Sequence, residues 1–188
     1  MKTKYILHGG AAQLIIKEND PFYTEILKDT PDDLKILFVY FGNDPKRNEE
    51  RKKGNIEQFN RIKGDKKIEY KIAEEDKFLD QIKEADVIYI RGGSTPMLME
   101  VLGKFKNLKE VFKGKIVSGE SAGMNSLAKY CFSKSGGGVV RGLGIIKVKT
   151  ISHFDGVRGV KELEKIAPDL EKCYLPEFKY KVFYTNNK

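Results

Sequence analysis

Short apolar runs alternate with amphipathic stretches through most of this chain. Tyr5–His8, Leu34–Phe41, Ile68–Ile72, Val87–Ile90 and Lys115–Ser118 are brief, rich in Ile, Val, Leu and aromatic residues, and separated by polar segments, which predicts strands. The stretches near Pro21–Lys28, Arg47–Ile62, Asp76–Glu84 and Pro96–Phe105 read as helices. Strands alternating with helices in this way predict βαβ units and a mostly parallel sheet covered on both faces. Further along, the pattern predicts a helix over Met124–Tyr130, a turn at Gly136-Gly137-Gly138 and a strand from about Ile145 to Ile151. A helix near Val157–Ile166 and two short strands, Cys173–Leu175 and Tyr180–Tyr184, complete the expected order. No internal repeat, linker or low-complexity segment interrupts it, so residues 1–188 are expected to form one domain.

Composition narrows the function classes. With 40% hydrophobic and 33% charged residues in 188, the chain can bury a full core and stay very soluble. No apolar run approaches a membrane span and the start is too short for a signal peptide, so no membrane association is expected. Cys131 and Cys173 lack metal-ligand spacing, which points to reduced thiols in a cytoplasmic protein. The net charge of +8 would permit an acidic partner. Yet the basic residues are mixed with acids, as in Lys46-Arg47-Asn48-Glu49-Glu50-Arg51-Lys52-Lys53, which reads as a solvated helix face and not as a nucleic-acid patch.

The most informative segment is Gly119-Glu120-Ser121-Ala122-Gly123. It reads G-x-S-x-G, follows the apolar pair Ile116-Val117 and precedes a helical pattern, the strand–turn–helix context of a nucleophile elbow. Glycines at its shoulders leave room for a strained turn that exposes the serine Oγ. In an open parallel sheet, ligands bind beyond the carboxyl ends of the strands. Two more strand-to-glycine turns should reach that edge: Arg91-Gly92-Gly93-Ser94-Thr95, whose free N–H groups could stabilise an oxyanion, and His8-Gly9-Gly10. The latter resembles an oxyanion motif of lipases only superficially, and His8 is read as structural.

A serine nucleophile needs a base, and the chain has two histidines. His153 follows an alternating strand and should lie at the elbow's edge, which makes it the candidate base. Residues 122–152 contain no Asp or Glu, which excludes the usual α/β-hydrolase order of serine, acid, histidine. The orienting acid must then come from the N-terminal half or from after His153, where the candidates are Asp155, Glu162, Glu164, Asp169, Glu171 and Glu177.

With the elbow, the upstream Arg91–Thr95 glycine turn and the order Ser–His–Glu, the chain resembles the dipeptidase E (aspartyl dipeptidase) and cyanophycinase family of serine peptidases. Gly142-Leu143-Gly144-Ile145-Ile146, Ser152-His153-Phe154-Asp155 and the run from Ile166-Ala167-Pro168-Asp169-Leu170 to Leu175-Pro176-Glu177 fit the same family, so the match spans nearly the whole chain. The resemblance implies the flavodoxin-like three-layer αβα sandwich of class I glutamine amidotransferases, with serine where those enzymes place cysteine. It implies Ser121 as nucleophile, His153 as general base, Glu177 as orienting acid, and the N–H groups of Gly93 and Ala122 as oxyanion hole. Glu177 also follows Pro176 at the end of a short apolar run, where a rigid turn can fix a carboxylate. Asp155, two residues beyond His153, would project in parallel with it.

The family needs no metal or cofactor, and a homodimer is compatible with it. Three departures stand out: Ser94 occupies a position where the family commonly has Asn, the His153-to-Glu177 stretch is shorter than in dipeptidase E, and the chain stops soon after Glu177. The expected activity is hydrolysis of short peptides by an exopeptidase or dipeptidase, with Arg91, Ser94, Thr95 and Arg158 as candidate substrate contacts. A same-fold hydrolase of another small amide or ester, or a non-catalytic binding protein of the family, are the alternatives.

Overall fold

The computed structural model describes residues 2–186. Its first half runs β1 (Lys2–His8), α1 (Asp20–Leu27), β2 (Asp33–Val39), α2 (Asn48–Ile62), β3 (Lys67–Ile72), α3 (Phe78–Glu84), β4 (Val87–Ile90), α4 (Thr95–Leu102) and α5 (Leu108–Val111). The second half runs β5 (Ile116–Glu120), α6 (Ala122–Leu127), β6 (Ala128–Ser133), β7 (Gly138–Arg141), β8 (Ile146–Ser152), α7 (Val160–Ile166), β9 (Glu171–Leu175) and β10 (Tyr180–Asn186).

Six strands form the main sheet in the order β10-β1-β5-β4-β2-β3, parallel except for β10, which pairs antiparallel with β1. Burial in the inner strands is nearly continuous, as expected of strands covered on both faces. Side chains alternate between two cores. Leu37, Val39, Ile88 and Ile90 face Phe78, Ile82, Leu98 and Met124, from α3, α4 and α6. Ile36, Phe38, Val87 and Tyr89 face Phe22, Tyr23, Ile26 and Phe59, from α1 and α2. Each such side chain withdrawn from water is worth about 1.5–3 kcal/mol, so the period-two alternation holds the sheet between its helices. The result is the three-layer α/β arrangement. The run β3-β2-β4-β5 has the 2-1-3-4 order of flavodoxin-like sheets, with β1 in the next place. Helices α2 and α4 leave β2 and β4 toward opposite faces, so a crevice opens between the carboxyl ends of those two strands.

Two features depart from the pattern-based expectation. The helix expected to run to Tyr130 ends at Leu127, and Ala128–Ser133 is a strand. Six or seven apolar-rich residues are ambiguous between helix and strand, and pairing with β8 decides the matter. The second departure is a separate four-stranded sheet, β7-β6-β8-β9, with only β7 antiparallel. Every residue of α6 is buried, packed against β5 of the main sheet and against β6 and β8 of the small one. The fully buried Lys149 of β8 anchors the α7 end, with Nζ donating to Ala167 O at 2.7 Å and meeting Glu164 Oε2 at 3.0 Å. The two terminal strands then part company: β9 joins the small sheet and β10 the main one. The chain crosses between sheets at Pro176-Glu177-Phe178, above the end of β1.

Candidate active site

Ser121 is the junction between β5 and α6. Its backbone has φ 48° and ψ −109°, a conformation that costs a non-glycine residue of order 1–3 kcal/mol and that its packing must enforce. The flanking glycines are required by close approach: a Cβ on Gly123 would lie 2.1 Å from Ile90 O, and one on Gly119 2.6 Å from the Gly123 carbonyl carbon. Ser121 N donates to His8 O at 3.0 Å, which ties the elbow to the end of β1.

His153 lies one residue beyond β8, also at positive φ (49°), with its N–H donating to Gly9 O at 2.7 Å. Nε2 of its ring is 2.9 Å from Ser121 Oγ, and Nδ1 is 2.7 Å from Glu177 Oε1. A carboxylate at Nδ1 favours the tautomer that carries the proton there, leaving the Nε2 lone pair for the serine hydroxyl. The crossing segment is clamped by Gly9 and Gly10: Gly9 N donates to Lys179 O at 2.8 Å and Phe178 N to Gly10 O at 3.2 Å. A Cβ on Gly10 would sit 2.2 Å from the His153 ring, so the His8-Gly9-Gly10 turn serves as the seat of the imidazole. Asp155 takes no part in this chain of contacts, its Oδ1 accepting from Val157 N at 3.1 Å and Arg158 N at 2.9 Å.

The glycine turn after β4 has a regular pattern of partners. Arg91 N donates to Val39 O at 3.1 Å, Gly92 N to Glu120 Oε1 at 3.1 Å, Ser94 N to Gly42 O at 2.8 Å and Thr95 N to Ser135 Oγ at 3.0 Å. Gly93 N, between them, donates to no group among the described residues, and neither does Ala122 N. A cavity of about 540 Å³ opens beside Ser121, lined by Gly93, Thr95, Phe132, Lys134, His153 and Arg158 among others. On the other side of the serine a cavity of about 240 Å³ reaches Gln13, Asn43 and Arg91. Of the residues expected to contact substrate, Arg91, Thr95 and Arg158 line these cavities, whereas the Ser94 hydroxyl caps α4 by accepting from Met97 N at 3.4 Å. Among the described residues no group of three or more His, Cys, Asp or Glu side chains is placed to hold a metal ion.

Three polar groups escaped the sequence pattern. Asn43 and the hairpin residue Lys134 carried no local signal. Glu120 did: a carboxylate at the end of a buried strand, 2% exposed, is unusual. Burial raises its pKa, opposed by the Arg91 charge and the N–H groups of Gly92 and Ala12.

His8 is fully buried, with Nδ1 accepting from Gly10 N at 3.2 Å and its ring 4.3 Å from that of Phe22. Burial lowers its pKa to about 4. The unfolded chain therefore takes up a proton below about pH 6.5 that the folded chain refuses until about pH 4, so this contribution to stability is complete above pH 6.5 and is lost on acidification. Between pH 7 and pH 5 the native protein is expected to lose about 1–2 kcal/mol more than His8→Gln in urea unfolding, by that linkage. Parallel pH profiles for the two proteins would remove His8 as the cause.

The model of peptidase family S51 matches residues 56–172, more than half of the chain. The chain belongs to peptidase family S51. Family membership makes it a peptidase. The matched stretch includes Ser121 and His153 and ends before Glu177. The fold of this family S51 chain is similar to that of a peptidase from an acI-B1 Actinobacterium, at 22% identity over 97% of this chain and 84% of the other, with a TM-score of 0.71. It is also similar to a crystal structure from Listeria monocytogenes EGD-e provisionally named peptidase E, at 14% identity over 100% of both chains and a TM-score of 0.66. No curated protein matches the chain. Among the described residues no helix is long and apolar enough to cross a membrane.

Proposed function

We propose that this family S51 member is a serine peptidase that cleaves short peptides through an acyl-enzyme on Ser121. The observation that carries the reading is the unbroken run of contacts from Ser121 Oγ to His153 Nε2, at 2.9 Å, and from His153 Nδ1 to Glu177 Oε1, at 2.7 Å. Nucleophile, base and orienting acid are each within hydrogen-bond reach of the next. Ser121 Oγ attacks the scissile carbonyl carbon while His153 Nε2 takes its proton. The oxygen that gains charge is met by the N–H groups of Gly93 and Ala122, which have no other partner among the described residues. Collapse of the tetrahedral intermediate breaks the C–N bond, and the imidazolium returns the proton to the departing amine. Water, deprotonated by the same imidazole, then hydrolyses the ester. Glu177 holds the ring tautomer and balances the imidazolium charge.

Substrate length follows from the space at the serine. Cavities of about 540 and 240 Å³ share Gly93, Ser121 and His153 in their linings, and together they offer the space of a small-ligand pocket. Cleavage of di- and tripeptides with a free amino terminus is expected, with Arg91, Thr95 and Arg158 as the candidate contacts. Incubation with a mixed dipeptide, tripeptide and casein panel, read by mass spectrometry, tests this. Digestion of casein with the small peptides untouched would refute the size limit. Buried, unpaired Cys131 and Cys173 fit a reducing, cytoplasmic setting.

A further inference from the structure

We propose that Asn43 and Glu120 form a two-sided clamp on the Gly92-Gly93 segment and act as positioning residues for the oxyanion donor. The proposal rests on the reading of Ser121 as nucleophile and Gly93 N–H as donor, and adds what aims that N–H.

Asn43 and Gly92 come from loops after β2 and β4, the two strands at which the sheet reverses its order. Asn43 Nδ2 donates to Gly92 O at 2.8 Å. The partner is a carbonyl, so only the amide nitrogen can face it. The carbonyl of Gly92 and the N–H of Gly93 belong to one planar peptide and point in opposite directions. Holding the carbonyl on the Asn43 side therefore aims the Gly93 N–H toward the Ser121 side. The Gly92 N–H, one peptide earlier, is fixed by Glu120 Oε1 at 3.1 Å, and Glu120 immediately precedes Ser121. The elbow thus positions its own oxyanion loop.

The backbone alone would not hold this orientation. Gly93 has φ 155° and both residues of the pair are glycines, so the intervening peptide could rotate at little cost. Ser94 N bonded to Gly42 O at 2.8 Å fixes the far end of the turn but not the Gly92-Gly93 peptide. Contact is close: a Cβ on Gly93 would lie 2.3 Å from Gly42 O and 2.9 Å from Asn43 Nδ2. Arg91, with Nε 3.7 Å from Glu120 Oε1, offsets part of the cost of burying this carboxyl group, whose Oε1 serves here as the acceptor for the Gly92 N–H.

A fluorophosphonate tests the clamp without a known substrate. Ser121 Oγ attacks phosphorus, the P–F bond breaks, fluoride leaves and the serine proton passes to His153, while charge on the phosphonyl oxygen draws on the same hole. Labelling rates are read by intact-protein mass spectrometry, and the downfield Nδ1 proton of His153 by NMR reports the His153–Glu177 contact separately. Loss of a whole oxyanion donor costs roughly 10²–10³-fold, so misaiming one by Asn43→Ala is expected to slow labelling roughly 10- to 100-fold with the His153 signal unchanged. Asn43→Asp, which sets acceptor against acceptor, should slow it at least as much. Glu120→Gln, which keeps an oxygen for the Gly92 N–H, should cost less than Asn43→Asp. Wild-type labelling rates in Asn43→Asp, or slowing that appears only together with loss of the His153 signal, would overturn the clamp. Failure of the wild type to label at Ser121 would instead overturn the nucleophile assignment on which it rests.

Discussion

Replacement of Ser121 by alanine is expected to lower peptide hydrolysis by roughly 10⁵–10⁶-fold while leaving the fold intact, since members of such a triad act as a unit and little remains once the nucleophile is gone. The structural consequence should be slight. Alanine in the same φ 48°, ψ −109° turn bears the same strain, and among the described residues the one side-chain bond removed is that between Oγ and His153 Nε2. Circular dichroism and the thermal midpoint are therefore expected to match the native protein. A serine-directed phosphonate should label the native chain at Ser121 and leave the variant unmodified. Unchanged turnover in Ser121→Ala would sink the proposed mechanism, because no other serine in the cavity pairs with His153 among the described residues.

The second large effect is expected at Glu177. Glu177→Gln keeps the size of the side chain but can present an amide NH₂ to His153 Nδ1, which favours the tautomer with the proton on Nε2, facing Ser121 Oγ. Turnover is expected to fall roughly 10²–10⁴-fold, with the loss in kcat rather than KM, as when the orienting acid of a triad is neutralised. Stability should change little, since the Glu177 side chain is 48% exposed and contacts His153 at the surface. Asp155→Asn is the control. Its carboxylate is engaged with the Val157 and Arg158 N–H groups, so the substitution should disturb that turn and cost turnover far less. Equal losses in the two variants would mean that the 2.7 Å contact between Glu177 and His153 does not govern the base.

The legibility of these residues differed for physical reasons. Ser121 sits in a motif whose strand, turn and helix all lie within a dozen residues, so local pattern is enough to find it. His153 could be singled out because one other histidine existed and a strand ended beside it. Glu177 was one of six carboxylates after His153 on residue logic alone, and the family resemblance singled it out. Its approach to His153 depends on β9 pairing with β8 in one sheet and β10 with β1 in another. Asn43 left no trace, because a single amide side chain bonding a carbonyl 49 residues away has no sequence periodicity.

What the sequence determined by itself was the alternation of five strands with α1, α2, α3 and α4 in the first 120 residues, the two-faced burial of the inner strands and the elbow that ends β5, whereas the short α5 was not foreseen. Those are written in hydrophobic periods of two and 3.6, which act over a few residues and need no distant partner. Tertiary structure decided that Ala128–Ser133 is a strand, that β6 to β9 build a second sheet, and that among the described residues Gly93 alone in its turn keeps an unused N–H. Backbone hydrogen bonds make those choices, and a backbone N–H or carbonyl is the same in nearly every residue, so its partner is settled only when the chain has packed.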